Sequence, residues 1–240
     1  MAATQPLATG LPSGLSIIVP TWRDDAALAR LLPQLAALRP PADELLVVDG
    51  AGSAATQAIA LAGGARYLAS PAGRGTQLNH GARAARGEVL WFVHADAGVS
   101  PAAVAAIARA LSDGADSGAF RFEFGGERGA TQRLLERAIA WRGAHAMVYG
   151  DQGLFARRAA FERAGGFAAE PLFEEVPLVR ALKRAGGFRI LDEPIVVSPR
   201  RWRQDGFWRR TLENRLLALG HAAGLSPTRL ARWYRRVRQG

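Results

Sequence analysis

LSIIVPTWRDDAALARLLPQLAALRPPADELLVVDG, residues 15–50, reads as strand, helix, strand. Residues 15–20 are a short unbroken apolar run, the pattern of a strand covered on both faces. Leu28, Leu31, Leu32, Leu35 and Leu38 then recur at helical spacing over 25–38, and Pro40-Pro41 closes that helix. ELLVVD, residues 44–49, is the second apolar run. Strands joined by a crossover helix are parallel, and such crossovers are right-handed in nearly all cases.

The alternation continues downstream. Ser53 caps a helix that stops at Gly63-Gly64, residues 65–70 form a weaker third strand, and a helix over 76–86 ends at Gly87. Residues 88–94 are the fourth and strongest strand, and Ser100-Pro101 opens a helix that runs to Leu111. Strand then helix, four times, predicts an α/β fold with a mostly parallel, doubly wound sheet. No Gly-x-Gly-x-x-Gly follows the first strand, which disfavours an ordinary dinucleotide fold. The second half changes character. Residues 119–124 alternate as a strand with one wet face does, 131–142 read as a helix, and 150–155 as loop into strand. A short helix over 158–164 closes at Gly165-Gly166, and one over 175–185 ends at Gly186-Gly187. ILDEPIVVSP reads as one or two short strands, and helices near 205–222 and 226–237 finish the chain. In the first of these, Phe207, Trp208, Leu212, Leu216, Leu217 and Leu219 form an apolar stripe that is expected to face the core.

An apolar fraction of 49% over 240 residues supports a packed core and argues against global disorder. With no cysteine, disulfides and thiolate metal sites are excluded. The N-terminal stretch has neither the basic start nor the apolar segment of a signal peptide, and no apolar run approaches the roughly 20 residues a bilayer requires. These features predict a cytoplasmic protein. The net charge of +10 is almost all arginine, Lys183 being the single lysine. Such a balance points to nucleic acid, anionic membrane or phosphorylated ligands, or reflects a coding sequence rich in G and C.

Carboxylates recur just past the strands: Asp24 after the first, Asp49 ending the second, Asp96 in His94-Ala95-Asp96 after the fourth, and Glu174-Glu175 opening a later helix. In an open α/β sheet, ligands bind outside the carboxyl ends of the strands. Acids gathered there suit a sugar nucleotide, since they hold ribose hydroxyls, hold a divalent cation and take up a proton. Each also has a plainer reading: Asp49 as a turn residue before Gly50, His94 as a core histidine, Glu174-Glu175 as helix-end charges. Arg74-Gly75, with Gln77 and Asn79 behind, offers a bidentate phosphate contact and a close backbone approach, or is a loop entering a helix. Arg200-Arg201-Trp202 can grip a diphosphate while the ring stacks on a sugar, or is a basic turn with a core tryptophan.

SIIVPTWRDD, ELLVVDGAGS, GRGTQLNHGARAARGEVLWFVHAD, GDQGLFARRAAFERAGGF and FEEVPLVRALKRAGG together resemble family-2 glycosyltransferases of the GT-A fold, over about residues 15–236. SPRRW and LSPTRLARWYR resemble a compact bacterial subgroup associated with radical-SAM or arsenosugar gene sets. The resemblance implies a GT-A catalytic domain over 15–204, with a nucleotide-binding half at 15–98 and an acceptor half at 99–204. Residues 1–14 would be a flexible segment, and 205–240 a helical appendage. It implies that Pro20, Thr21, Asp24 and Asp49 line the nucleotide pocket and that Arg74 and Asn79 lie near the donor phosphates or ribose. Asp96, with His94, would hold Mg²⁺ or Mn²⁺. Asp151 and Gln152 would face the sugar or acceptor, joined by Arg201 and Trp202. Glu175 matches the catalytic base, one methylene longer than the usual Asp, and Glu174 the residue before it. Arg23 stands where Asn is usual, and the metal motif keeps one of its two acids. The implied activity is inverting transfer of a sugar from a nucleotide-diphosphate sugar, expected to be a UDP-sugar, to the hydroxyl of an unidentified acceptor. No nucleic-acid partner is expected, and the C-terminal helices would make a weak contact with the inner membrane face. The alternatives are a nucleotidyltransferase, or a non-enzymatic protein that binds nucleic acid or membrane through its C-terminal arginines.

Overall fold

In the computed structural model, which describes residues 14–239, one eight-stranded sheet runs in the order β3-β2-β1-β4-β7-β6-β8-β5. Its first half is β1 (Leu15–Thr21), α1 (Asp25–Ala36), β2 (Glu44–Asp49), α2 (Ala54–Ala62), β3 (Arg66–Ala69), α3 (Arg74–Ala84) and β4 (Val89–Phe92). All pairings among these four strands are parallel, and Thr21 stands level with Asp49, so the carboxyl ends of β1 and β2 share one rim. The unbroken apolar runs arise because β1 is buried on both faces. Leu15, Ile17 and Val19 pack into one layer with Leu28, Leu31 and Leu35 of α1. Ile18 points to the other layer, beside Val48 and Leu78 of α3.

The second half follows as β5 (Ala97–Val99), α4 (Ala103–Ser112), β6 (Ser117–Phe124), α5 (Ala130–His145), a 3-10 turn (Gly150–Gln152), β7 (Phe155–Arg157), α6 (Arg158–Arg163), α7 (Val176–Ala185) and β8 (Phe188–Val197). β7 runs antiparallel to both β4 and β6, which joins the two halves into one sheet. ILDEPIVVSP does not split into two strands. Its residues 190–197 belong to the ten-residue β8, which pairs with β6 through a register shift: Phe120 faces Leu191 but Arg121 faces Pro194. Pro194 has no N–H to give a ladder, so a bulge is the natural accommodation.

Three helices follow: α8 (Arg200–Asp205), α9 (Phe207–Ala222) and α10 (Pro227–Gln239). The first two are anchored by an aromatic cluster in which Phe122, Phe124, Leu135 and Val197 receive Trp202 of α8 and Phe207 of α9. The stripe expected to face the core on α9 does not do so as a whole. Leu217 is buried and Phe207 is packed, but Trp208, Leu212, Leu216 and Leu219 are exposed. No described helix is long and apolar enough to cross a membrane.

Candidate active site

A cleft of about 350 Å³ opens over the carboxyl ends of β1 and β4. Pro20, Thr21, Trp22 and Asp24 come from the end of β1, Arg74 and Gln77 from the first turn of α3, and His94 and Asp96 from the turn after β4. A hydrogen bond from Ala97 N to His94 O closes that turn at 3.0 Å, and Asp96 stands exposed on it. Thr21 Oγ1 is buried with no partner, a polar atom left over for whatever fills the cleft.

Several expected residues face elsewhere. Asp49 is fully buried: Oδ1 accepts from Ala51 N at 2.8 Å, and Oδ2 from Ser53 N at 2.7 Å and Tyr67 Oη at 3.1 Å. Its carboxylate shapes the loop behind the cleft and is not part of the lining, as a turn aspartate does. Asn79 spends both ends of its amide on Phe167, donating to the carbonyl at 2.8 Å and accepting from the N–H at 3.0 Å. Gly75 does leave room for a close approach, but the Ala168 carbonyl takes it, so a side chain here would collide with backbone. Gln152 is buried, donating to Phe120 O at 3.2 Å and accepting from Arg142 Nη2 at 3.4 Å. Trp202 lies edge-on to Phe124 at 5.2 Å within the aromatic cluster, the core tryptophan of the plainer reading. Arg201 is on α8, and its side chain lies outside the described part of the structure.

Glu174 and Glu175 are brought next to the cleft, behind residues that line it. Glu175 is the residue before the first turn of α7 and Glu174 precedes it, both buried. Arg74 of the cleft wall pairs with Glu174, Nε to Oε1 at 3.1 Å. A methyl group placed on Gly150 would meet His94 Nε2 at 3.4 Å and Glu175 Cδ at 3.9 Å, so the histidine after β4 and the second glutamate converge on one backbone point. Gly150 N donates to Glu175 Oε1 at 3.4 Å, a long bond. Burial, then the charge of Glu174, push Glu175 up to about 7, against the opposing pull of Arg74 and Gly150 N.

Asp151 completes this wall. Its Oδ1 is buried without a partner. Burial raises its pKa, Arg142 and Arg74 oppose the rise, and the charge of Asp96 adds to it. Arg142 lies over the Tyr149 ring at 4.5 Å, and burial pushes the guanidinium down and the phenol up. Tyr149, Arg142 and Trp22 were absent from the expected set. Trp22 directly follows Thr21 and is 55% exposed at the cleft lip, with the Arg23 guanidinium 5.0 Å from its ring. An aromatic next to the strand-end Thr was the available signal for Trp22. Nothing local marks Tyr149 or Arg142.

Among the described residues, no three His, Asp or Glu side chains gather closely enough to hold a metal ion unaided. Asp96 on its exposed turn, with His94 behind it, fits a cation that takes one carboxylate and draws the rest of its shell from phosphate oxygens and water. Mg²⁺ is commonly held this way.

Residues 16–164 match the family model of glycosyl transferase family 2. No curated protein matches the chain. Among solved structures, glucosyl-3-phosphoglycerate synthase from Mycobacterium tuberculosis, complexed with Mn²⁺, UDP and glucosyl-3-phosphoglycerate, superposes with a TM-score of 0.58 at 19% identity, over 80% of this chain and 77% of that one. The mannosyltransferase PcManGT from Pyrobaculum calidifontis, complexed with GDP-Man and Mn²⁺, gives 0.57 at 18% identity, over 78% of this chain and 57% of that one. TarS of S. aureus gives 0.61 at 19% identity, over 77% of this chain and 36% of the larger protein. These likenesses fix the fold as GT-A, with a sheet parallel at four of its seven pairings.

Proposed function

The chain belongs to glycosyl transferase family 2, and from that membership we propose that it moves a sugar from a nucleotide-diphosphate donor to an acceptor hydroxyl with inversion. The observation that carries this reading is the meeting of His94 Nε2 and Glu175 Cδ around Gly150, beside a cleft that Asp96 lines.

The donor lies along the β1 and β4 ends. Trp22 offers a ring face to the base, Thr21 Oγ1 a free hydroxyl, and Arg74 a charge for phosphate. A UDP-sugar is the preferred donor, in keeping with the UDP bound by the mycobacterial synthase. Asp96, backed by His94, would hold Mg²⁺ or Mn²⁺, which when bound offsets the charge gathering on the leaving diphosphate. Asp49 acts indirectly, by ordering the loop that carries Gly50 to Ser53. Glu175 takes the proton of the acceptor hydroxyl. The freed oxygen forms its bond to the anomeric carbon from the face opposite the diphosphate, and the C–O bond to the nucleoside diphosphate breaks. A group titrating near neutrality is matched to that task. Asp151 and Tyr149 border the space for acceptor or sugar. The SPRRW and LSPTRLARWYR segments support membership of the compact bacterial subgroup tied to radical-SAM or arsenosugar gene sets.

The test is a thermal-shift panel of UDP- and GDP-sugars with and without Mn²⁺, followed by an assay for nucleoside diphosphate release. A ligand at 100 times its Kd stabilises the native state by about 2.7 kcal/mol, a readable shift. Metal-dependent stabilisation by a nucleotide sugar is expected. Stabilisation by nucleoside triphosphates alone, with pyrophosphate released, would overturn the reading.

A further inference from the structure

We propose that the outer face of α9, with the adjoining α10, docks on the surface of an anionic lipid bilayer. Among the described residues ten large apolar side chains are exposed, and eight of them lie on α5, on α9, on α10 or between α9 and α10. Four make a single stripe on α9: Trp208, Leu212, Leu216 and Leu219 are 61%, 59%, 48% and 66% exposed at helical spacing. The opposite side of the helix carries Leu217 and Arg210, both buried, with Arg210 pairing with Asp205 of α8 at 3.4 Å and lying over the Tyr234 ring of α10 at 5.4 Å, while the four stripe residues stay exposed. A contiguous exposed apolar surface of this kind marks an interaction site.

Charge selects the occupant. Residues 200–240 carry eleven arginines against Asp205 and Glu213, which is nine of the ten net positive charges of the chain. The other 199 residues hold 20 basic and 19 acidic side chains, so a general arginine bias does not explain the concentration. Arg209 and Arg215 of α9, the first paired with Glu213 at 3.0 Å, and Arg229 and Arg232 of α10 are all exposed. A second copy meeting this face symmetrically would set cation against cation. A nucleic acid would be satisfied by the arginines and leave the leucines wet. A bilayer with anionic headgroups satisfies both: the leucines and Trp208 enter the headgroup boundary, and the guanidinium groups meet phosphates.

The docked helix is also the one that touches the catalytic wall. His221 of α9 stacks on Phe173 at 4.7 Å, and Phe173, held at a positive φ of 61°, immediately precedes Glu174. α9 thus carries the stripe on one side and, through His221 and Phe173, meets the segment leading into Glu174-Glu175 on the other.

The experiment is co-sedimentation of the full chain with phosphatidylcholine vesicles and with phosphatidylcholine–phosphatidylglycerol vesicles, at low salt and at about 0.5 M salt. The protein is expected to pellet with the anionic vesicles and not with phosphatidylcholine alone. A Leu212→Gln, Leu216→Gln, Leu219→Gln variant should bind at least about tenfold more weakly. Because all three leucines are exposed, its melting temperature should be unchanged. Three results would overturn the proposal. The first is equal binding to both vesicle types, or none. The second is a variant that binds as well as the parent. The third is a parent that light scattering shows to be a dimer and that the variant turns into a monomer. Donor binding in the cleft is measured separately, so this inference and the transferase reading fail independently.

Discussion

The lining of the cleft and the buried wall beside it are built from different materials. The wall at the ends of β1 and β4 is open: Trp22 and Asp96 are exposed, and Arg74 is half exposed toward its partner Glu174. The adjacent wall, from α5 through the start of α7, is closed: Glu174 and Glu175 are buried, Asp151 Oδ1 has no partner, and Glu175, Asp151, Tyr149 and Arg142 are all displaced from their ordinary pKa values mainly by burial. An exposed wall keeps its charges hydrated and available to a diphosphate and a cation. A buried wall pushes a carboxyl toward neutrality, where it can exchange a proton. On the proposed reading the division separates binding from proton transfer, and it can be broken one residue at a time.

The closed wall gives the largest effect. Glu175→Gln should lower kcat by about 10²–10⁴-fold while calorimetry shows donor affinity unchanged. Next comes the open wall: Asp96→Asn should cost about 10²-fold in kcat/KM and abolish the Mn²⁺ dependence of donor binding. Trp22→Ala should raise the donor KM by about tenfold, since stacking on an aromatic is typically worth about 1–3 kcal/mol per base, with little change in stability. Trp202→Ala sharpens the contrast from outside. It should cost about 2–3 kcal/mol in chemical denaturation and leave both KM values near normal, because the ring belongs to the aromatic cluster. A rise in acceptor KM without loss of stability would return Trp202 to the acceptor site.

How much of this was legible in the sequence follows the same division. The strand–helix–strand opening was readable nearly to its ends because β1 and β2 have both faces covered, which writes a continuous apolar run. β5, with three residues, and α8, with six, are too short to leave a periodic signature. β8 read as one or two short strands because its continuity comes from β6 alongside it and its bulge absorbs Pro194. Residues at strand ends, such as Thr21, His94 and Asp96, were findable because the fold class alone puts them at the rim. Asp49 ends β2 just as Thr21 ends β1, and Asn79 and Gln152 lie farther along the chain, yet the polar atoms of all three are taken, by the 50–53 loop, Phe167 and Phe120. Whether an amide or carboxylate faces a ligand or a backbone group is settled by tertiary neighbours that no local pattern encodes. The α9 stripe misled for the opposite reason: leucines at helical spacing usually meet a core, and here most of them do not.

The closed wall also carries a stability signature. A carboxyl whose pKa is raised by folding holds its proton longer in the native state, so stability should fall as pH rises from about 4.5 through 7. Glu175→Gln should flatten that slope. The measurement that meets the central claim most directly is the pH dependence of kcat/KM for the parent enzyme and Glu175→Gln under one set of donor and metal conditions. The parent should gain activity about tenfold per pH unit below about 7 and level off above it, one proton being lost from Glu175. The variant should be slow and flat across that range. A variant that keeps the same rise near neutrality would show that the titrating base is another group and that the buried wall does not perform the proton transfer assigned to it.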